Sequence, residues 1–348
     1  MNFANELLAW YHQNKRDLPW RNTTNAYVIW LSEVILQQTR VEQGMPYFYR
    51  FLERFPDVES FANASEDEVL KLWQGLGYYS RGRNMLKTAQ LIQQQYNSVF
   101  PTKYDELIKL KGIGEYTAAA ISSFSANEVR AVVDGNVYRV LARYFGIEEP
   151  INSPKAKKTF QTLANDLINK QIPGLHNQAM MEFGAMLCKP KNPACGICPV
   201  RTGCYAFKHN ATAYLPVKLK KPAARERYLN YFLLTNGVQV LINKRDESDI
   251  WANMYDLPMF ETPSLIPVNE LLASAFVTRH FGETVTVEED YGVARHLLTH
   301  QKLYVRMLKI NTQTVKLEQK WFYIEVEKLK LLALPKIIFI FLKNIFNL

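Results

Sequence analysis

The four cysteines of this 348-residue chain lie close together near its middle. Cys188, Cys195, Cys198 and Cys204 are separated by six, two and five residues, and prolines and glycines punctuate the stretch. Structural zinc sites usually show two close cysteine pairs, and a chain of this size without a visible secretory signal needs no disulfide framework. The spacing therefore predicts a loop folded around a [4Fe–4S] cluster with four thiolate ligands.

The stretch 107–141 predicts a helix, a hairpin and a second helix. Gly112 and Gly114 flank Ile113, and a run of three alanines follows shortly after. Glycines let such a turn adopt positive φ and let another backbone approach, and the bare N–H groups of a helix N-terminus suit a phosphate. Most Gly-x-Gly sequences only make turns, so the interpretation depends on what surrounds the hairpin.

Two isolated acids stand out against apolar surroundings. Glu33 lies within 27–41, which predicts a nearly all-apolar helix in which burial should raise the pKa of the carboxyl group. An arginine or backbone partner elsewhere in the fold would be a structural alternative, but strongly perturbed acids cluster at functional sites. Asp134 stands between an apolar run and a Gly-Asn turn. With the hairpin, it suggests an enzyme that acts on a nucleic-acid backbone or base.

Composition indicates a globular chain of two domains with a moderate positive charge. Apolar residues make up 48% and charged residues 22%, and the net charge is +9 with an isoelectric point near 9.2. Solubility alone would explain this excess, but beside the hairpin it favours a polyanionic partner. No segment contains the roughly 18 apolar residues of a membrane span. We expect a cytoplasmic, monomeric protein without a membrane partner.

The pattern of secondary structure changes at a basic, proline-containing linker, 213–227. Residues 1–212 predict helices throughout. Residues 228–348 predict an α+β domain whose C-terminal helix follows Pro335 and docks on the domain or, alternatively, lies on a membrane surface. Its other predicted elements are strands 228–235 and 238–244, joined as a hairpin at Asn236-Gly237, strands 303–310 and 321–326, and helix near 269–281.

Two loops combine arginines with aromatic residues. Arg16, Trp20 and Arg21 share the first loop, where the aromatic ring either packs behind a helix end or stacks on a base beside its arginines. The second loop contains Tyr78 and Tyr79 just before two arginines. It is either core packing with a solvated face or a wedge that enters a duplex where a base leaves.

Together, these motifs resemble the MutY-type adenine DNA glycosylases of the endonuclease III-like helix–hairpin–helix superfamily. The resemblance covers nearly all of residues 3–210 and, more weakly, the C-terminal domain. The cysteine spacing and the hairpin with Val133–Val137 are typical of the superfamily. The motifs Trp30–Val41, which contains Glu33, and Gln74–Tyr79 are typical of the adenine-removing branch.

The resemblance implies a mainly α-helical, helix–hairpin–helix catalytic region and an α+β, Nudix-like domain at 228–348. The helical region would contain a six-helix module at about 22–130 and an iron–sulfur module from 1–21 and 131–212. The Nudix-like domain would help to recognise 8-oxoguanine. It lacks the glutamate-rich Nudix catalytic box, so nucleotide pyrophosphatase activity is not expected.

The implied substrate is double-stranded DNA in which adenine is mispaired with 8-oxoguanine or guanine, at the nucleoid of a bacterial-type cell. Such enzymes flip the adenine out and hydrolyse its N-glycosidic bond. By this likeness, Glu33 is the general acid that protonates adenine N7, and Asp134 stabilises the oxocarbenium-like sugar. The chemistry itself demands one acid kept neutral by apolar walls and one left ionised beside polar backbone.

Position 116 separates the subclasses of the superfamily. Glycosylase/lyases carry a lysine there, which forms a Schiff base with the sugar. Tyr116 cannot form an imine, so strand cleavage should be weak or absent. The phenol is expected to order Asp134 or the sugar.

The resemblance also implies residues that recognise DNA. In the family's recognition loop, which usually reads Phe-Ser/Thr-His, this chain has Leu298-Thr299-His300, so the hydrogen bonds can form without the aromatic contact. The remaining implied contacts are Gln38, Thr39, Leu76 and Tyr78 around the oxidised guanine, with Tyr78 as the wedge; Arg16, Trp20, Arg21 and Gln178 around the adenine; and Gly112, Gly114, Lys189 and Lys191 on phosphates.

Two other functions stay open at this point. A glycosylase/lyase for damaged pyrimidines would share the hairpin and the cluster, although Tyr116 argues against it. A DNA-binding module without catalytic activity would share them too. It would leave the acid in the apolar helix, Glu33, unexplained.

Overall fold

A computed structural model describes residues 3–220 and 222–348, which form two compact units. The first unit comprises 3–64 and 84–220, and the second comprises 65–83 and 222–348. The short segment 65–83 therefore belongs with the C-terminal half of the chain. No helix of the described residues is long and apolar enough to cross a membrane.

Helices alone make up the regular structure of the first unit in its described part. The helices up to residue 208 are α1 (Phe3–Asn14), α2 (Ala26–Ile35), α3 (Val41–Arg54), α4 (Val58–Ala62), α5 (Glu66–Trp73), α6 (Ser80–Tyr96), α7 (Tyr104–Leu107), α8 (Glu115–Ala126), α9 (Gly135–Phe145), α10 (Pro154–Leu167), α11 (Pro173–Met186) and α12 (Tyr205–Lys208). Of these, α5 belongs to the second unit, and α6 begins in the second unit and continues into the first.

Helices α1, α9, α10 and α11 bury a shared apolar core that includes Leu7, Leu141 and Phe183. Helix α11 crosses the start of α9 at Gly184. A Cβ atom there would lie only 2.7 Å from Cβ of Asn136, so the two backbones can approach this closely only because position 184 has no side chain. This contact positions the N-terminal turn of α9.

Helix α2 ends earlier than its apolar pattern predicts. Asn25 caps its start by accepting hydrogen bonds from the backbone N–H groups of Tyr27 and Val28. The predicted extent to position 41 is wrong: the helix ends at Ile35, and Gln38 adopts a left-handed conformation with φ +56°. Apolar residues continue past the end because α3 packs against the turn, where a Cβ at Gly44 would lie 2.6 Å from the Leu36 side chain.

The predicted helix, hairpin and helix are confirmed as α7, a turn and α8. Gly112 has φ +82°, and a Cβ there would lie 2.8 Å from Cβ of Asn84. The expectation of positive φ is wrong for Gly114, which has φ −88° and forms the N-cap of α8. No described atom lies within 4 Å of a Cβ built at Gly114, so the space in front of this helix terminus is open.

The second unit contains two sheets. The first has the strand order β4-β1-β6-β5, with β1 parallel to β6 and the other pairs antiparallel, and the second has the order β3-β2-β7. Helix α14 covers the first sheet through Phe281 and Val277, which pack on Phe232 and Leu308. The elements are β1 (Arg225–Leu233), β2 (Gln239–Lys244), β3 (Tyr255–Asp256), β4 (Met259–Thr262), α13 (Val268–Leu272), α14 (Ala275–Phe281), β5 (Thr286–Leu297), β6 (Gln301–Asn311), β7 (Trp321–Glu325) and α15 (Lys336–Phe346).

The predicted hairpin around Asn236-Gly237 is wrong as a pairing of strands. The turn forms, with one isolated bridge between Thr235 and Val240, but β1 and β2 continue into different sheets. The predicted helix at 269–281 is two helices, because Ser274 caps α14. The predictions of β6, β7 and a docked C-terminal helix are confirmed, with Ile338 and Leu342 of α15 buried.

Replacing Gly112 with alanine should destabilise the protein by about 1–3 kcal/mol, because alanine is strained at positive φ and its methyl group meets Asn84. Gly114→Ala is the matched control, since position 114 has negative φ and open space. Chemical denaturation of both variants measures the two costs. Equal losses of unfolding free energy would show that the turn geometry is not the cause.

Candidate active site

A cavity of about 670 Å³ opens in the helical unit between α2, α8, α11 and the start of α9. Its walls bring together side chains from distant parts of the sequence, including both of the isolated acids, Glu33 and Asp134. The predicted site residues that line it are Arg16, Trp20, Arg21, Glu33, Gln38, Thr39, Tyr116, Asp134 and Gln178.

Glu33 is buried on α2, with only 7% of its surface exposed. The hydroxyl group of Tyr116, in the first turn of α8, donates a hydrogen bond to Oε2 of Glu33 at 2.7 Å. Burial raises the pKa of Glu33 to about 7; the Tyr116 hydrogen bond lowers it and the charge of Asp134 raises it. A carboxyl group with this pKa can hold a proton at neutral pH and release it.

Tyr116 therefore has a different partner from the one expected from the sequence. The resemblance assigned its hydroxyl group to Asp134 or to the sugar, whereas the structure gives it to Glu33. A phenol that donates to Oε2 leaves Oε1 as the oxygen that can carry the proton of a neutral Glu33.

Asp134 is the N-cap of α9, and hydrogen-bond donors engage both of its oxygens. Oδ1 accepts hydrogen bonds from the backbone N–H groups of Asn136 at 2.9 Å and Val137 at 2.8 Å, and Oδ2 accepts one from the Asn136 side chain at 2.7 Å. Burial outweighs these three hydrogen bonds and the charge of Arg139, so the pKa of Asp134 is raised above its usual value. The helix N-terminus stabilises the carboxylate form at this position.

A third acid, Glu182, lines the cavity and was not predicted from the sequence. It is fully buried on α11 and accepts hydrogen bonds from the Arg16 backbone at 2.9 Å, from Nε and Nη2 of Arg16 at 2.9 and 2.7 Å, and from Nη2 of Arg21 at 2.8 Å. Burial acts to raise the pKa of Glu182, but the two arginines outweigh it and lower the pKa to about 2. The acid in the apolar run 179–183 was the signal that could have found it.

The remaining predicted residues of this cavity are held by the protein itself. Trp20 is 7% exposed and packs edge-to-face on Phe48, with ring centroids 5.1 Å apart, which matches the packing alternative. The side-chain oxygen of Gln178 accepts a hydrogen bond from the Tyr11 hydroxyl group at 2.9 Å. Gln37, Gln38 and Thr39 form the turn after α2 and line one wall.

Four other predicted recognition residues meet in the second unit. A groove of about 550 Å³ is lined by Leu76 and Tyr78 from the segment 65–83 and by Thr299 and His300 from the turn between β5 and β6. Tyr78 is 41% exposed and adopts a left-handed conformation with φ +48°. These residues form two pairs that are far apart in sequence, yet both pairs face one groove.

The four cysteines border one small cavity with apolar walls, and none forms a disulfide. Among the described residues, no three His, Cys, Asp or Glu side chains converge closely enough to hold a single metal ion. A cubane has different needs, because each of its four ligands binds a separate iron atom. Burial raises the pKa of the Cys198 thiol to about 11, so its thiolate requires a bound positive centre. The four cysteines around this one cavity fit a [4Fe–4S] cluster, to which they would supply all of the ligands.

Three family models match this chain. The model of the HhH-GPD superfamily base excision DNA repair protein matches residues 31–166. The iron–sulfur binding domain of endonuclease III matches 188–204, which holds all four cysteines, and the NUDIX domain matches 230–344.

Curated relatives named adenine DNA glycosylase cover most of the chain. The protein of Buchnera aphidicola subsp. Schizaphis graminum is 38% identical over 261 residues, or 75% of each chain. That of Buchnera aphidicola subsp. Baizongia pistaciae is 33% identical over 310 residues, which are 88% of this chain and 86% of the relative. The chain belongs to the adenine DNA glycosylase family. This glycosylase is therefore an enzyme of base excision repair that carries a [4Fe–4S] cluster, and its predicted fold class is confirmed.

Solved structures share the fold of this glycosylase. A thermostable thymine-DNA glycosylase superimposes with a TM-score of 0.56 at 26% identity, covering 60% of this chain and 95% of that one. A trapped covalent intermediate of endonuclease III with DNA superimposes with a TM-score of 0.53 at 22% identity, covering 60% and 94%. The second likeness concerns the fold alone.

Glu182→Gln should destabilise this glycosylase at neutral pH by about 3 kcal/mol, because two arginines lose their buried counter-charge. The pKa of Glu182 is about 2 in the folded state and about 4.3 when unfolded, so the stabilisation is present above about pH 4.3 and lost as the pH falls towards 2. Urea unfolding at neutral pH and at about pH 3 measures the difference between wild type and variant.

Glu115→Gln is the matched control, since its partner Lys157 is exposed and solvent-exposed ion pairs of this kind contribute little to stability. A Glu182→Gln variant that loses no more stability than this control would contradict the assigned role of the buried carboxylate.

Proposed function

We propose that this glycosylase removes adenine mispaired with 8-oxoguanine or guanine in double-stranded DNA, by hydrolysis and without cutting the strand. The observation that carries the proposal is Glu33, an acid with a pKa of about 7 that is bonded to Tyr116 and shares its cavity with Asp134. The names of the relatives support adenine as the released base.

Glu33 acts as the general acid in this proposal. Its proton, carried on Oε1, passes to N7 of a flipped adenine, and the electron pair of the bond between N9 and the sugar carbon leaves with the base. The ionised Glu33 then accepts a proton from the attacking water. A pKa near neutrality suits both steps, because the same group must first give a proton and then take one.

Asp134 stabilises the positive charge that develops on the sugar ring. Its carboxylate is oriented by Asn136 and Val137, so it needs no reorganisation when the charge appears. Glu33 and Asp134 thereby divide the work. Burial raises the pKa of Glu33 to about 7, so this group can carry a proton, whereas three hydrogen bonds oppose the effect of burial on Asp134 and favour its ionised form.

Arg16, Arg21 and Glu182 form the polar wall that receives the adenine. The base offers both donors and acceptors along its edge, and the wall offers two guanidinium groups around one ionised carboxylate. This wall therefore favours a base whose edge presents both hydrogen-bond acceptors for the guanidinium groups and donors for the carboxylate.

The absence of an amine nucleophile supports hydrolysis alone. No lysine lines the cavity in the described part of the chain, and Tyr116 occupies the lyase position. Borohydride should therefore trap no covalent complex with a mispaired substrate. Efficient trapping would favour the glycosylase/lyase alternative instead.

The second unit reads the base opposite adenine in this proposal. Thr299 and His300 offer hydrogen bonds within the groove that also holds Leu76 and Tyr78, and the exposed Tyr78 is the candidate wedge. In the helical unit, the open N-terminus of α8 at Gly114 and the lysines Lys189 and Lys191 would bind phosphates.

Glu33→Gln should slow adenine release by at least about 1,000-fold while mispair binding is kept, because the amide cannot donate a proton as an acid. Single-turnover release from A:8-oxoguanine duplexes and a binding assay measure the two effects. Glu42→Gln, an amide substitution of an exposed acid at the rim of the cavity, is the control. Full activity of the Glu33→Gln variant would contradict the proposed role of Glu33 as the general acid.

Tyr116→Phe should extend adenine release to higher pH. In the wild type the rate should fall as the pH rises through about 7, where Glu33 loses its proton. The Tyr116 hydrogen bond lowers the pKa of Glu33, so its removal raises that pKa and moves the fall to higher pH. The pH–rate profile of single-turnover release measures the shift. A shift to lower pH would mean that Tyr116 does not act through Glu33.

Thr299→Ala and His300→Ala should each reduce the preference for 8-oxoguanine over guanine by roughly fivefold, about the effect of one hydrogen bond. The measurement is the ratio of single-turnover rates on the two mispairs. Thr286→Ala, at the far end of β5, is the control. An unchanged ratio in both loop variants would remove the turn between β5 and β6 from recognition while leaving adenine removal intact.

A further inference from the structure

Arg143 on α9 uses every hydrogen-bond donor of its guanidinium group. The residue is 3% exposed, and its five N–H groups match five acceptors. Nε donates to the Leu215 carbonyl at 3.0 Å. Nη1 donates to Sγ of Cys188 at 3.5 Å and the Lys189 carbonyl at 2.7 Å, and Nη2 donates to the carbonyls of Pro190 at 3.1 Å and Thr212 at 2.6 Å.

These acceptors belong to two separate segments. One is the start of the iron–sulfur loop, 188–190, and the other is 212–215, where the linker leaves the helical unit. The linker continues along the unit beyond Arg143: the Ile151 N–H donates to the Val217 carbonyl at 3.0 Å, and the Asn152 side chain bonds both the N–H and the carbonyl of Leu219. Arg143 is thus the first attachment point of the linker.

The positive charge of Arg143 makes its attachment of the linker dependent on the cluster. In the described part of the chain, no carboxylate forms an ion pair with Arg143, although it is buried. Its closest side-chain partner is the Cys188 sulfur, and its own carbonyl lies 3.6 Å from Sγ of Cys204. When bound, the cluster keeps its four sulfurs as thiolates, so its ligand Cys188 supplies negative charge beside the buried guanidinium group.

We propose that Arg143 is a positioning residue that couples the iron–sulfur loop to the linker. With the cluster bound, the guanidinium group holds 212–215 against the loop; with the cluster lost, the loop rearranges and the linker detaches. The presence of the cluster then sets how freely the C-terminal unit is tethered. This coupling is independent of the base that the enzyme removes.

Hydrogen–deuterium exchange of the full chain, with its cluster and after oxidative removal of it, tests the coupling. The amides of 212–219 should exchange about tenfold faster without the cluster, while α2 keeps its protection. Trypsin should then cut faster at Lys218 and Lys220. Unchanged exchange at 212–219 overturns the proposal, and so does an equal loss of protection in α2, which would indicate general unfolding.

Arg143→Lys keeps the positive charge at this position but removes the five N–H donors of the guanidinium group. The cluster-bound variant, identified by its visible absorbance, should show the fast exchange at 212–219 that the wild type shows only without the cluster. Arg201→Lys is the control. Arg201 lies in the iron–sulfur loop, but it is exposed and its guanidinium group donates a hydrogen bond to one carbonyl there, that of Gly196. Wild-type exchange in the cluster-bound Arg143→Lys protein overturns the proposal.

Asn152→Ala keeps the test decisive if Arg143→Lys does not retain the cluster. This variant removes the distal attachment of the linker and should speed exchange at 217–219 while 212–215 stays protected and the visible absorbance is unchanged. Fast exchange at 212–215 in this variant would show that Asn152, and not Arg143, holds the linker.

Discussion

Desolvation of the Glu33 carboxyl group is opposed mainly by one hydrogen bond, from Tyr116, and the helical unit holds these two side chains together. Helix α2 supplies the apolar walls and α8 supplies the phenol. Across the cavity, burial acts on Glu182 as well, yet two guanidinium groups reverse its effect. One cavity therefore contains a carboxyl group that titrates near neutrality and another that stays ionised far below it. Their difference lies in their partners, because both are buried.

The sequence revealed the acids that depend on local context. Glu33 and Asp134 stand out because their immediate neighbours are apolar, and the cysteines because their spacing is short. Partners from remote segments were harder to find. Tyr116 is 83 residues from Glu33, and Arg16 is 166 residues from Glu182. Both arginines were singled out from their loop, but only the fold shows that they neutralise an acid of α11.

Elements of the fold follow the same division between local and remote information. The turn at Asn236-Gly237 is determined by a few adjacent residues, and it forms. The end of α2 and the assignment of β1 and β2 to different sheets depend on packing against α3 and on strands far along the chain. Alternating or apolar patterns indicate that a segment is buried, but they do not identify the helix or strand against which it packs.

The close crossing at Gly184 has a consequence for the geometry around Asp134. An added methyl group would press on Asn136, whose backbone and side chain both hold Asp134, and would strain the Gly184 carbonyl that accepts a hydrogen bond from Arg139 at 2.7 Å. Position 184 takes no part in the reaction and bears no functional group. A single methyl group at this position, which does not line the cavity, would therefore displace the residue that orients Asp134.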